Sequence, residues 1–162
     1  MDAGHEIGLG LTIKQSVELE TTTNDDQPEV SVQAELIEGR YVCTEILVRQ
    51  RPELGLTSET LRSISVGFYV QWAAEACNQD VEGRLTEAAM VAVGLAGRIG
   101  DDLLAAVAAT YRWGYAVTGN PTAKIMEVFS IKRPRAAAWV ARARERGLLG
   151  PTEMGRPGGV TS

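Results

Sequence analysis

The residue pattern predicts an α+β fold: a small antiparallel β-sheet packed with helices in the N-terminal half, then three helices at the C-terminal end. Three observations predict it. Apolar residues alternate with polar or small ones through much of the first 50 residues, the period of half-buried strands. After Arg51-Pro52 the period changes to that of amphipathic helices. Charge also divides along the chain. Residues 1–110 hold 7 Lys/Arg against 18 Asp/Glu, and residues 111–162 hold 9 against 3. The balance of −11 followed by +6 implies one end that meets a polyanion and another with a different task.

The β elements come first. Ile7, Leu9, Leu11 and Ile13 alternate as one strand, and Val30, Val32, Ala34 and Leu36 as another. Glu38-Gly39-Arg40 reads as a hairpin loop joining Val30–Ile37 to Tyr41–Arg49. A polar loop, Thr21 to Pro28, separates the first strand from this hairpin. Such a sheet needs a cover on its apolar face, and the helices that follow are the expected cover. Thr57 or Ser58 caps a short helix through Ser63, and Phe68, Tyr69, Trp72, Ala73 and Ala76 mark a second one to about Asn78. Tyr69 and Trp72 are expected in the core. The charged stretch Gln79–Glu87 reads as a boundary, and the Ala-rich helix from Thr86 to Arg98 as a connector or a dimer-forming helix.

In the C-terminal third, Leu103, Leu104, Val107, Tyr111 and Tyr115 recur at helical spacing behind Asp101 and Asp102, which face the positive end of the helix dipole. Gly119 suits a left-handed C-cap, and Asn120-Pro121 an N-cap followed by the first turn of a new helix. That short helix, Pro121 to Phe129, turns Ile125, Val128 and Phe129 inward. After Ser130-Ile131-Lys132-Arg133, Pro134 opens a third helix to about Arg146, with Ala136, Trp139, Val140 and Ala143 as its buried face.

Three helices with a turn of about four residues between the last two predict a helix-turn-helix of the DNA-binding kind. Ile131 plugs the corner, with Met126 and Ala136 facing it. The N-terminal end of the third helix then enters a major groove about 12 Å wide. Small side chains at Ala137, Ala138 and Ala141 let its backbone approach base edges, while Lys132, Arg133 and Arg135 reach phosphates or a guanine edge. The expected DNA-binding residues are Thr122, Lys124, Lys132, Arg133, Arg135, Ala138, Arg142, Arg144, Arg146 and Arg156.

The stretch from Ile125 to Leu149, above all Trp139-Val140 through Ala143-Arg144-Glu145-Arg146-Gly147-Leu148-Leu149, resembles the helix-turn-helix of actinobacterial and actinophage regulators. That resemblance covers a quarter to a third of the chain. It implies that the last helix is a recognition helix and that the segment after Gly147-Leu148-Leu149 can form a wing or an extended arm. Three departures stand out. Ser130 occupies the place of the usual turn glycine, and Met126 that of an alanine. Lys132-Arg133-Pro134 replaces a serine and two polar residues. The serine N-cap of the recognition helix is therefore missing, a loss of about 1 kcal/mol for that helix in isolation. Gly155-Arg156-Pro157 is similar to the core of an AT-hook, which implies a minor-groove contact for Arg156.

Other chemistries find little support. Cys43 and Cys77 stand apart without a CxxC, and the single histidine, His5, is placed in the N-terminal tail, so neither a metal site nor a catalytic residue is expected. No phosphate-binding glycine loop is present, and no cofactor is expected. Glu18, Glu20, Asp25, Asp26 and Glu29 read as a solvated edge rather than a cation site. The longest uncharged stretch, Ser63 to Ala74, falls short of the roughly 18 residues of a membrane span. The acidic start has no signal-peptide pattern, so a cytoplasmic protein is expected. Its 162 residues, 44% hydrophobic, suit one domain or two small ones sharing a core. The division expected is 1–80, an acidic β-rich unit with its covering helix; 86–150, the helical DNA-binding unit; and 151–162, a flexible tail.

The function expected from these readings is sequence-specific binding of double-stranded DNA by a non-enzymatic transcriptional regulator. A homodimer is expected, because one such unit reads only a few base pairs. The acidic N-terminal half is expected to contact its own copy or a protein partner. The alternative reading is a protein-interaction, assembly or phage recombination accessory factor whose basic C-terminus serves as a DNA anchor.

Overall fold

A computed structural model describes residues 4–21, 27–95 and 100–150. The fold is mixed α+β, with a small antiparallel sheet at the N-terminal end and a helical bundle at the C-terminal end. Strands β1 (His5–Gly8) and β2 (Leu11–Ile13) form a hairpin. Strands β3 (Ser16–Glu20), β4 (Glu29–Ile37) and β5 (Arg40–Arg49) form a meander in that order. Helices α1 (Ser58–Ser63), α2 (Val66–Cys77), α3 (Gln79–Leu95), α4 (Asp101–Thr118), α5 (Pro121–Val128) and α6 (Arg133–Glu145) follow. No helix among the described residues is long and apolar enough to cross a membrane.

The sheet follows its alternation where the chain runs straight. Val30, Val32, Ala34 and Leu36 are all buried. Glu38 and Gly39 both take positive φ, at 49° and 78°, the conformation a two-residue hairpin turn requires. Thr44 is the extra residue of a bulge opposite Gln33 and Ala34.

The first strand is where the pattern misleads. Ile7, Leu9, Leu11 and Ile13 do not share one strand, because Gly8, Leu9 and Gly10 all take positive φ and fold the segment back on itself. Leu9 is therefore 43% exposed, whereas Ile7, Leu11 and Ile13 are buried. Two flanking glycines carry more information here than the alternation does. His5, placed by the sequence in a tail, begins β1 opposite Ile13. The short strand β3 pairs with β4, and the alternation read in the sequence does not include it.

Helix α2 lies across the sheet and buries Val70, Ala73 and Ala74. Trp72 is not core: it is 44% exposed beside Phe68 at 58%, whereas Tyr69 is partly buried against the sheet core. Only one stripe of α2 meets the sheet, and Phe68 and Trp72 lie outside it. The charged stretch Gln79–Glu87 forms the first half of α3. Its Val81 and Leu85 complete the β-sheet core, and the charges occupy the other helix positions. At the α2–α3 junction the buried Asn78 accepts from the Lys14 backbone N–H at 2.9 Å and donates to Tyr41 Oη and the Ala74 carbonyl. Tyr41 in turn donates to the Lys14 carbonyl at 2.7 Å. One amide thus ties β2, β5 and two helices together.

Helix α4 exceeds its predicted stripe. Besides Leu103, Leu104, Val107 and Tyr111, it buries Ala109, Trp113, Ala116 and Val117. Ala109, Trp113, Ala116 and Val117 belong to the core of sheet and α2. Leu103, Leu104, Val107 and Tyr111 belong to a second core with α5 and α6. Gly119 ends α4 in the left-handed conformation, and the Asn120 side chain accepts from the Ala123 N–H, both as the sequence predicts. Gly114 fixes how closely α5 approaches: a Cβ placed there would stand 2.6 Å from Lys124 Cβ and 3.0 Å from Pro121 Cα.

Gly114→Ala is expected to destabilise the chain by about 1–3 kcal/mol through overpacking, although alanine is the better helix former. Urea denaturation of the two proteins checks this, and equal or greater stability of the variant would contradict the close approach.

Candidate functional site

Among the described residues, the outer face of α6 and the turn before it carry Lys132, Arg133, Arg135 and Arg142, all exposed. The turn begins where α5 ends at Phe129, continues through Ser130 and Ile131, and delivers Lys132 as the N-cap of α6. The Ile131 N–H donates to the Met126 carbonyl at 3.1 Å, and Ile131 packs against the second core. Ser130 takes φ 52°. The backbone there has the left-handed geometry that a glycine would favour, so the substitution read in the sequence leaves the conformation intact at a steric cost. No side chain caps α6, in accord with the missing serine.

Ala136, Trp139, Val140 and Ala143 are buried and hold α6 in the core, with Phe129 edge-on to Trp139 at 5.5 Å. Outside this buried face, Lys132, Arg133, Arg135, Ala137, Ala138, Ala141 and Arg142 are exposed. Lys132, Arg133 and Arg142 make no ion pair among the described residues. The Arg135 guanidinium lies 5.0 Å from the centre of the Trp139 ring. It thus sits on the side of the helix toward Trp139 rather than opposite it, since residues four apart share a face. This cation–π contact holds Arg135 in place while leaving it exposed.

Four of the expected residues lie elsewhere. Lys124 is buried, and its Nζ pairs with Glu82 of α3 at 2.8 Å and with Glu127 at 3.3 Å. Burial alone pulls its ammonium down, but the two carboxylates outweigh that and hold it above its ordinary pKa. It is an internal tie between α3 and α5. Arg144 points inward as well, donating to Tyr111 Oη at 3.1 Å and lying over that ring at 5.4 Å. Arg146 is exposed but paired with Asp101 at 3.1 Å. Arg156, with the expected wing and arm, lies outside the described residues. Thr122 is half-buried in the first turn of α5.

One cation was missed in the sequence. Arg112 of α4 donates to the Ile7 carbonyl at 3.1 Å and to the Leu148 carbonyl at 2.6 Å, joining β1 to the segment after α6. Burial pulls its guanidinium below the ordinary value, with Glu6 opposing. The signal was available: it is the single basic residue in an otherwise apolar or small run from Leu103 to Thr118. Among the described residues no group of three or more His, Cys, Asp or Glu is placed to hold a metal ion. Comparison with protein-family models, with curated proteins and with solved structures finds no match for this chain.

Two outcomes follow from this geometry. Ser130→Gly relieves the left-handed side chain and is expected to raise stability by about 0.5–1 kcal/mol in denaturant titrations; a loss would show that the serine hydroxyl is needed there. The raised pKa of Lys124 means that its stabilising contribution is fully present below the unfolded value of about 10.4 and disappears as pH rises through the folded value. Lys124→Met is therefore expected to flatten the alkaline limb of a stability–pH profile above about pH 10. An unchanged limb would contradict the internal pairing.

Proposed function

We propose that the chain is a sequence-specific, double-stranded DNA-binding protein acting as a transcriptional regulator, with α5, the turn and α6 as a helix-turn-helix and α6 as the element entering the major groove. The single observation that carries this reading is the composition of the exposed side of α6. From Lys132 to Arg142 it presents four cations, three small alanines and no carboxylate. Alanines let the helix backbone approach base edges closely, and the cations neutralise phosphates. The strained turn at Ser130, which keeps a glycine-like geometry without a glycine, adds support, as does the resemblance of this stretch to actinobacterial and actinophage regulators.

Within this reading the basic residues divide into roles. Arg135, steadied on Trp139, is the base-reading side chain. Lys132, Arg133 and Arg142 contact phosphates, while Ala138 touches a thymine methyl. Lys124 and Arg144 serve the fold instead and position α5 and α6. The second reading, an assembly factor with a basic anchor, draws on one observation of its own. Phe68 and Trp72 form an exposed aromatic surface on α2, and aromatic residues are enriched in the interfaces of protein partners.

Gel-shift titrations of the full chain against a selected duplex and a random duplex separate the two. Affinity for both is expected to fall with salt, with a log–log slope of about −0.9 for each phosphate neutralised. Arg135→Ala is expected to cost about 1–3 kcal/mol on the selected duplex and little on the random one, and Arg142→Ala to weaken both alike and reduce the slope by about one. Equal losses for Arg135→Ala on both duplexes favour the anchor reading, and absence of binding at low salt rejects both.

A further inference from the structure

Helices α3 and α4 are joined by the short segment 96–100 and pack against each other in the second core, the arrangement of an antiparallel helical hairpin. Along their outer side, where the β1–β2 turn reaches them, runs an open groove of about 370 Å³. Leu11, Ala88, Ala92 and Ala106 line it with apolar surface, and Leu9 and Val91 flank it. Val91 is itself 54% exposed. An apolar stripe of this kind on a soluble chain marks a contact surface.

Leu9 strengthens the case. It takes φ 59° between two glycines that also have positive φ, a conformation costly for a leucine and free of strain for glycine. A turn that needed only its shape would be served better by glycine or asparagine. The leucine contributes its side chain, which is 43% exposed and borders the groove.

The charges say what fits. Arg84 and Asp102 both border the groove, and neither has an ion-pair partner among the described residues. Because the helices run antiparallel, Asp102 in the first turn of α4 lies near the end of α3. Arg84 stands about three helical turns, roughly 16 Å, back from that end toward the start of α3. Glu87 stands between them on the rim. The groove therefore has a cation at one end and a carboxylate at the other. A two-fold axis through its middle brings Arg84 of each copy against Asp102 of the other, and presses the two apolar stripes together. That is the self-complementarity an isologous contact requires.

We propose that this groove is the site at which a second copy of the chain docks, with Arg84 and Asp102 exchanging ion pairs across the two-fold axis. The proposal stands apart from the DNA reading, because association is measured without DNA. Sedimentation velocity of the full chain at micromolar concentration is expected to show a dimer. Arg84→Asp and Asp102→Arg each leave two like-charged pairs in a symmetric dimer and are expected to weaken association at least tenfold. Both sites are at the surface, and circular dichroism checks that each variant keeps its helix content. Mixed in equal amounts, the two variants are expected to recover the dimer, since each pair is then opposite in charge. The doubly substituted chain is expected to recover it alone. A wild-type monomer, two single variants that still dimerise, or a mixture that fails to recover the dimer overturns the proposal. So does a dimer broken by Trp72→Ser on α2 and untouched by Val91→Glu on α3.

Discussion

The structure depends on the burial of one helix from two sides. α4 presents Ala109, Trp113, Ala116 and Val117 to the sheet and α2, and Leu103, Leu104, Val107 and Tyr111 to α5 and α6. A helix that is apolar around most of its surface cannot remain in water, so it must be covered on both sides. The sheet unit and the helical unit are thus each the solvent shield of the other. Alanine and glycine on α4 keep the layers close, most tightly at Gly114, where α5 approaches within the space of a methyl group. Arg112 adds a polar strap across the same helix, satisfying a carbonyl of β1 and one beyond α6 with a single guanidinium.

This arrangement has a consequence for the basic surface. α6 is held by Trp139, by the Arg144–Tyr111 contact and by the Arg112–Leu148 hydrogen bond, all of them leading to α4. The exposed cations of α6 are therefore carried on an element whose orientation is fixed by a buried helix rather than by a loop. Preorganisation of this kind lets side chains act at a defined place without a further ordering cost on binding. The acidic half contributes to that rigidity from the other side of α4.

Much of this was legible in the sequence, and the failures have physical reasons. The caps of α4 and α5, the turn after α5 and the buried face of α6 each follow from a local rule at Gly119, Asn120, Ile131 and Trp139. The hairpin at Glu38-Gly39 is equally local. Leu9 was misplaced because alternation was read across two glycines that reverse the chain. Trp72 was misplaced because helical spacing says which residues share a face and not which face is covered. Of the expected DNA-binding residues, Lys124 and Arg144 turned inward because a carboxylate of α3 and a tyrosine of α4 lie within reach. Partners of that sort are far away in sequence, at Glu82 and Tyr111, and no local pattern encodes them.

The central claim is that the exposed side of α6 meets duplex DNA. Amide chemical-shift mapping of the isotope-labelled full chain, titrated with duplex DNA at low salt, tests it residue by residue. The account predicts that the shifts concentrate on Ile131 to Arg142 and leave the α2 surface around Phe68 and Trp72 unmoved. Shifts confined to α2, or none at all on α6 while binding saturates, would contradict it.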